Sequence, residues 1–255
     1  MIALIENRRK KMIIILISII ICAGIFAVFQ EFKALRHTET TILEGSNHIK
    51  TYTAKEAINS MSRYIIGQKL MEDPLLVSIT STDSTETDNI IYSGKDGKRS
   101  AWNGEFGDIK GSKVVVCALR GAEIRIDFIS EAKNIPDNEY GQKHLAIGQY
   151  RVNDIKLDSN DQIVLDKIKE LKLKPGNPSQ DWIRGYHYSI YEPALNDSEN
   201  DSLVLAVLGI SPESPNEKGE SMMAICEFNA KDGSFIRASK KIGYDRDGRS
   251  IWESM

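Results

Sequence analysis

Several things are scarce or missing in this 255-residue chain, and each absence removes a class of function. Only three cysteines are present, and none stands in a Cys-x-x-Cys pair. The four histidines, His37, His48, His144 and His187, are never two or four residues from one another. A zinc site needs such paired spacing, so no metal site is predicted. The serine elbow G-x-S-x-G, the phosphate loop G-x-x-x-x-G-K-[ST] and the run H-E-x-x-H do not occur. No catalytic residue and no cofactor is therefore expected. Beyond residue 29, concentrated positive charge is missing too. The formal net charge is −3 for the whole chain, and after residue 29 the body is mildly acidic with scattered lysines, so it has no electrostatic footprint for nucleic acid. The stretch "DRDGRSIWE" has the flavour of a calcium loop. Setting Gly248 on that loop's invariant glycine places Gly243 and Ser254 where carboxylates are required, so calcium is not predicted. The carboxylates of "STDSTETD" and "NDSENDS" read as solvated turns.

One long hydrophobic run is present. Residues 12–29 are apolar apart from Ser18 and Cys22, and they are long enough to cross about 30 Å of hydrocarbon as a helix. Arg8, Arg9, Lys10 and Lys11 stand directly before it. The positive-inside bias then puts residues 1–11 in the cytoplasm and everything after the span outside. Ile25 fits a signal-peptidase site poorly, and Ile21 fits a lipidated Cys22 poorly. The expectation is an uncleaved single-pass anchor at the cell membrane, touching the bilayer through residues 12–29. A juxtamembrane linker over 30–50 follows.

Beyond residue 50 the pattern changes. Thr53-Ala54-Lys55-Glu56 is a capping box, followed by Ala57, Ile58, Met61, Tyr64 and Ile65 at helical spacing. Asp73-Pro74 ends that helix. The runs "LLVSITS", "NIIYSG", "RSAWNGEF", "KVVVCALR" and "EIRIDFI" then read as strands between polar or glycine-bearing turns. The order repeats. A second amphipathic helix carries Ile163, Val164, Ile168 and Leu171, stopped by Pro175-Gly176. "WIRGYHYSIYE", "SLVLAVLGI", "SMMAICEFN" and "SFIRASKKI" follow as strands. The predicted fold class is α+β: a transmembrane helix, then two tandem helix-plus-antiparallel-sheet units over 51–152 and 153–255. A single sheet continuous across both halves is the alternative. Cys117 and Cys226 sit in apolar runs and read as buried thiols, with a disulfide between them as the competing reading.

The closing run "FNAKDGSFIRAS" resembles the terminal hairpin of PepSY-type domains. Asn229, Ala230, Asp232, Gly233 and Ile236 fall on that family's Asn–Ala–x–(Thr/Asp)–Gly–x–(Ile/Val) pattern. The first unit departs from it, with Gly121 but no such run. The resemblance implies a non-catalytic module that restrains a peptidase or modulates an envelope enzyme. The functional expectation is a membrane-anchored, extracytoplasmic binding or regulatory module whose partner is an envelope protein or cell-wall component. The alternative is a non-catalytic accessory or assembly subunit of a membrane complex. A third class, an unrecognised hydrolase, would need carboxylates converging in a cleft. Trp182, Tyr186, Tyr188 and Tyr191 are the candidate partner surface, because aromatic side chains supply large contact area. The competing reading places those rings in the core. His187, between two of the tyrosines, should point to the opposite face of their strand.

Overall fold

Thr53 opens the first described helix as its sequence demands. Its hydroxyl accepts from the Glu56 amide at 3.2 Å, and the Glu56 carboxylate accepts from the Thr53 amide at 2.9 Å. Helix α1 runs Ala54–Gly67 and buries Ala54, Ala57, Ile58, Met61 and Ile65. The computed structural model describes residues 50–82, 93–108, 113–131, 150–176, 184–192, 203–213, 222–246 and 250–255, and the backbone of 41–42. A short strand β1 (Thr41–Ile42) precedes α1. After α1 come β2 (Leu75–Ser81), β3 (Ala101–Gly107), β4 (Lys113–Arg120) and β5 (Glu123–Glu131). A 3-10 turn at Val152–Asp154 leads to helix α2 (Gln162–Glu170). Strands β6 (His187–Tyr191), β7 (Val204–Ile210), β8 (Met223–Asn229), β9 (Phe235–Tyr244) and β10 (Ser250–Ser254) complete the chain.

All ten strands form one antiparallel sheet in the order β1-β5-β4-β3-β2-β6-β7-β8-β9-β10. The expected pair of separate units is corrected by the β2–β6 ladder, which pairs Ser78 with Tyr191, Ile79 with Ile190 and Thr80 with Ser189. The Thr80 and Ser189 hydroxyls stand 2.7 Å apart across it. The physical reason is the edge. Split there, β2 and β6 would each expose an unpaired backbone beside a buried isoleucine. Fusing the halves removes both edges and buries Ile79 and Ile190 to 1% and 0% exposure.

The register lays one row of side chains across seven strands: Cys117, Gly104, Ile79, Ile190, Leu205, Phe228 and Phe235. Both helices cover that face. A Cβ on Gly104 would lie 2.6 Å from the Met61 sulfur, so glycine lets α1 approach the sheet closely. The Lys167 ammonium of α2 sits 4.7 Å from the centre of the Phe235 ring. One hydrophobic cluster joins α1, α2 and the central strands.

The expected membrane span is corrected as well. No helix among the described residues is long and apolar enough to cross a membrane. Helix α1, at 14 residues, reaches only about 21 Å and carries a polar face. Residues 1–11, 12–29 and most of 30–50 lie outside the described residues, so the single-pass, cytoplasmic-N-terminus arrangement has no described helix to carry it.

Candidate interaction surface

The two cysteines among the described residues are sealed away. Cys117 and Cys226 are free thiols, each fully buried. Burial, with Asp127 as a lesser cause, pushes Cys117 up to about 12. Burial, then Glu227, does the same to Cys226. A thiol held in its neutral form is a poor nucleophile and metal ligand. The two lie on β4 and β8 with four strands between them, a separation of about 20 Å or more at the usual strand spacing. Among the described residues no group of three or more His, Cys, Asp or Glu side chains is placed to hold a metal ion.

Of the four aromatic residues singled out from sequence, the three that are described do not converge on a surface. Tyr186 and Tyr188 are 4% and 0% exposed. The Tyr186 hydroxyl donates to the Leu173 carbonyl at 2.6 Å, and the Tyr188 hydroxyl donates to the Gly94 carbonyl at 2.6 Å. Burial pushes the Tyr186 phenol up to about 12 and that of Tyr188 higher still. Both rings pack in the core on the helix-covered face. Tyr191 lies on the opposite face, half-buried, and donates to the Glu227 carboxylate at 2.9 Å. Glu227, itself buried, also pairs with Arg237. Trp182 lies outside the described residues.

The hairpin that carries the family-like pattern has a clear local logic. Asn229 Oδ1 accepts from the Lys231 amide at 2.9 Å, and Asp232 Oδ1 accepts from the Ser234 amide at 2.8 Å and its hydroxyl at 2.6 Å. These hydrogen bonds, the side-chain one first, hold the exposed Asp232 carboxyl below its usual value. Gly233 takes φ +81°, which few other residues adopt without strain. Ala230 is fully buried, and its carbonyl accepts from both Lys156 and Leu157 amides at 2.8 and 3.0 Å. Its side chain belongs to the hydrophobic core cluster, so a larger one there would have to displace core atoms. The turn therefore works as an anchor point for the fold.

Exposed apolar surface collects instead on the last ribbon. Ile242, Tyr244, Ile251 and Trp252 are 47%, 65%, 41% and 40% exposed. Every residue of β10 is exposed, and β10 ends the sheet, so its outer backbone edge pairs with nothing among the described residues. Alternation puts Trp252 on one face with Ser250 and Ser254, and Ile251 on the other with Glu253. The cations of the ribbon differ in how they are held. Lys240 contacts Glu213 at 2.7 Å and Glu253 at 3.2 Å, and both hydrogen bonds raise its pKa. Arg237 pairs with Glu227. Lys241, opposite Trp252 in the register, lies 3.7 Å from the Tyr244 ring centre and has no carboxylate among the described residues. The sequence reading of this stretch is a calcium loop that does not fit, hence a polar turn, with Trp252 as one more ring of a recognition surface or of the core. The signal available was the alternating apolar-polar pattern of "SIWES" beyond an already complete set of strands.

Comparison of the chain with protein-family models, with curated proteins and with solved structures finds no match.

Proposed function

We propose that the protein is a non-catalytic binding or regulatory module that engages another protein through the β9–β10 ribbon. The observation that carries this reading is the concentration of exposed Ile242, Tyr244, Ile251 and Trp252 at an open sheet edge. Large aromatic and aliphatic side chains at a water-exposed edge are what protein interfaces use as anchors. The buried, neutral thiols and phenols support the same reading, because they give no activated nucleophile to work with. Kinship with PepSY-type domains, and with it the restraint of a peptidase, is part of this proposal. It rests on Asn229, Ala230, Asp232, Gly233 and Ile236 alone.

The test is site-specific photo-crosslinking in intact cells from a probe at position 252, with the captured protein identified by mass spectrometry. The expected result is one protein recovered reproducibly, whose own tagged form retrieves this chain. Ile251→Asp should abolish the capture while leaving the urea midpoint within error of the parent. Capture that is unaffected by Ile251→Asp, or no capture from position 252 at all, would overturn the reading.

A further inference from the structure

Resting on that reading, we infer that the occupant of the β10 edge is an extended polypeptide segment added as an eleventh strand, with acidic side chains on one face and β-branched apolar side chains on the other. The backbone fixes the first part. An unpaired strand edge presents alternating N–H and C=O groups, and the ligand that satisfies them along their length is another strand. The Met255 amide donates inward to the Ala238 carbonyl at 3.0 Å. By alternation the backbone groups of Ser254 and Trp252 then face outward.

The side chains fix the second part. On the Trp252 face, Lys241 is the cation without a carboxylate among the described residues; Arg237 is already paired, and Lys240 is paired on the Glu253 face. Trp252 stands directly opposite Lys241, between it and the open edge. An acidic side chain on an added strand would meet Lys241 there, its methylenes lying along the indole. On the other face the added strand would meet Ile251 and Glu253. Apolar β-branched residues suit Ile251, and an acid on that face would oppose Glu253. The opposite edge of the sheet is built against such an addition. There β5 carries Glu123, Arg125, Asp127 and Glu131, with Arg125 and Asp127 2.6 Å apart, and β1 already occupies its start.

The experiment titrates the full chain against three fluorescently labelled synthetic peptides read by anisotropy. They are Thr-Val-Glu-Val-Glu-Val-Thr, the same peptide with Lys for Glu, and the first peptide with both Glu amides N-methylated. The Glu peptide should bind, and the Lys peptide about tenfold or more weaker, because like charges then meet at Lys241. The N-methylated peptide should not bind, since in an antiparallel addition the Glu amides are the ones that face β10 and it cannot complete the ladder. Lys241→Glu should reverse the Glu/Lys preference, and Lys241→Gln should abolish it. Equal affinity for the Glu and Lys peptides, equal affinity for the N-methylated peptide, or no binding by any of them would overturn the inference. So would a concentration-dependent dimer that Trp252→Asp dissolves, which would make a second copy the occupant. Crosslinked capture from position 252 that the Glu peptide fails to compete would leave the binding reading standing and remove strand addition alone.

Discussion

At the middle of the sheet, where β2 meets β6, Ile79, Ile190, Trp102 and Tyr188 are sealed to within 1% of full burial. At its end, β9 and β10 hold Tyr244, Ile251 and Trp252 with two-fifths or more of their surface in water. The row of residues that starts at Cys117 shows the gradient along one line. Each of its side chains is buried until Phe235, which is 41% exposed beneath Lys167. The two helices set this difference. Helix α1, at 14 residues, and α2, at nine, together cover the central strands, and the sheet simply extends beyond them. Stability is thus concentrated in the junction, and the outer ribbon is left for contact.

The sharpest way to break that comparison is to remove Trp102 and Trp252 one at a time. Trp102 is fully buried and its indole N–H donates to the Arg99 carbonyl at 3.0 Å. Trp102→Ala should cost about 3–5 kcal/mol, read from urea unfolding. Trp252→Ala should change stability by about 0.5 kcal/mol or less, as for an exposed site. Equal losses would mean that the ribbon is packed as tightly as the centre, and the docking surface would vanish with the difference.

A smaller but still large effect is expected at Gly97, in the turn before β3. Its φ is +77°, and a Cβ there would sit 2.3 Å from the Ser159 carbonyl oxygen and 2.4 Å from the Asn160 Cα. Those atoms are backbone, so little can yield. Ser159 is itself fully buried; its hydroxyl donates to the Gly97 carbonyl at 2.6 Å and accepts from the Ala54 amide at 2.9 Å. Gly97→Ala should therefore cost about 2–4 kcal/mol by strain and displacement. It would also loosen the start of α1, which Ser159 and Asp158 of the second half help to cap. The measurement is the unfolding midpoint together with hydrogen-exchange protection of the Ala54 and Lys55 amides. Protection that survives the substitution would show that the two halves are held independently.

The thiols give a pH-dependent comparison of the same two halves. Both cysteines ordinarily titrate near 9 and are pushed up to about 12 in the fold. A raised pKa means that the unfolded chain loses protons first. The associated stability is complete below pH 9 and is lost as pH climbs from there toward 12. In a Cys22→Ser background, neither Cys117 nor Cys226 should react with a thiol reagent at pH 8 until the protein unfolds. The apparent stability should then fall progressively above pH 9. Rapid labelling of one cysteine but not the other would show that one half opens separately.

Much of this architecture was legible in the sequence, and the parts that were not share a cause. Thr53 and Glu56 gave the start of α1 because a capping box is a local chemical event. The alternating runs gave most of the strands for the same reason. The β2–β6 ladder was not legible, because Ile79 and Ile190 lie 111 positions apart and nothing local distinguishes a strand that closes an edge from one that forms it. The aromatic run around Tyr188 misled for a related reason. A tyrosine with its hydroxyl bonded to a distant carbonyl, here that of Gly94, looks in sequence like any interfacial tyrosine. The ribbon was missed because exposure of Ile251 and Trp252 depends on where the helices stop, which only the assembled sheet decides.

The finest comparison lies at the ends of the two helices, which close in the same way. After α1, the Lys69 amide donates to the Ile66 carbonyl and the Leu70 amide to the Ile65 carbonyl. After α2, the Lys172 and Leu173 amides donate to the Lys169 and Ile168 carbonyls. Each is a Schellman closure with a lysine, not a glycine, in the left-handed position, at φ 56° and 53°. The left-handed conformation costs a side-chain-bearing residue about 1–2 kcal/mol, and glycine returns part of that through greater freedom in the unfolded chain. Lys69→Gly and Lys172→Gly should each stabilise by about 0.5–1 kcal/mol, read as a small rise in the urea midpoint. Lys231→Gly, at a position whose φ is not positive, should give no such gain. A gain at Lys69 without one at Lys172 would show that the nine-residue α2 frays past its cap and that only the first half is closed as firmly as the shared geometry implies.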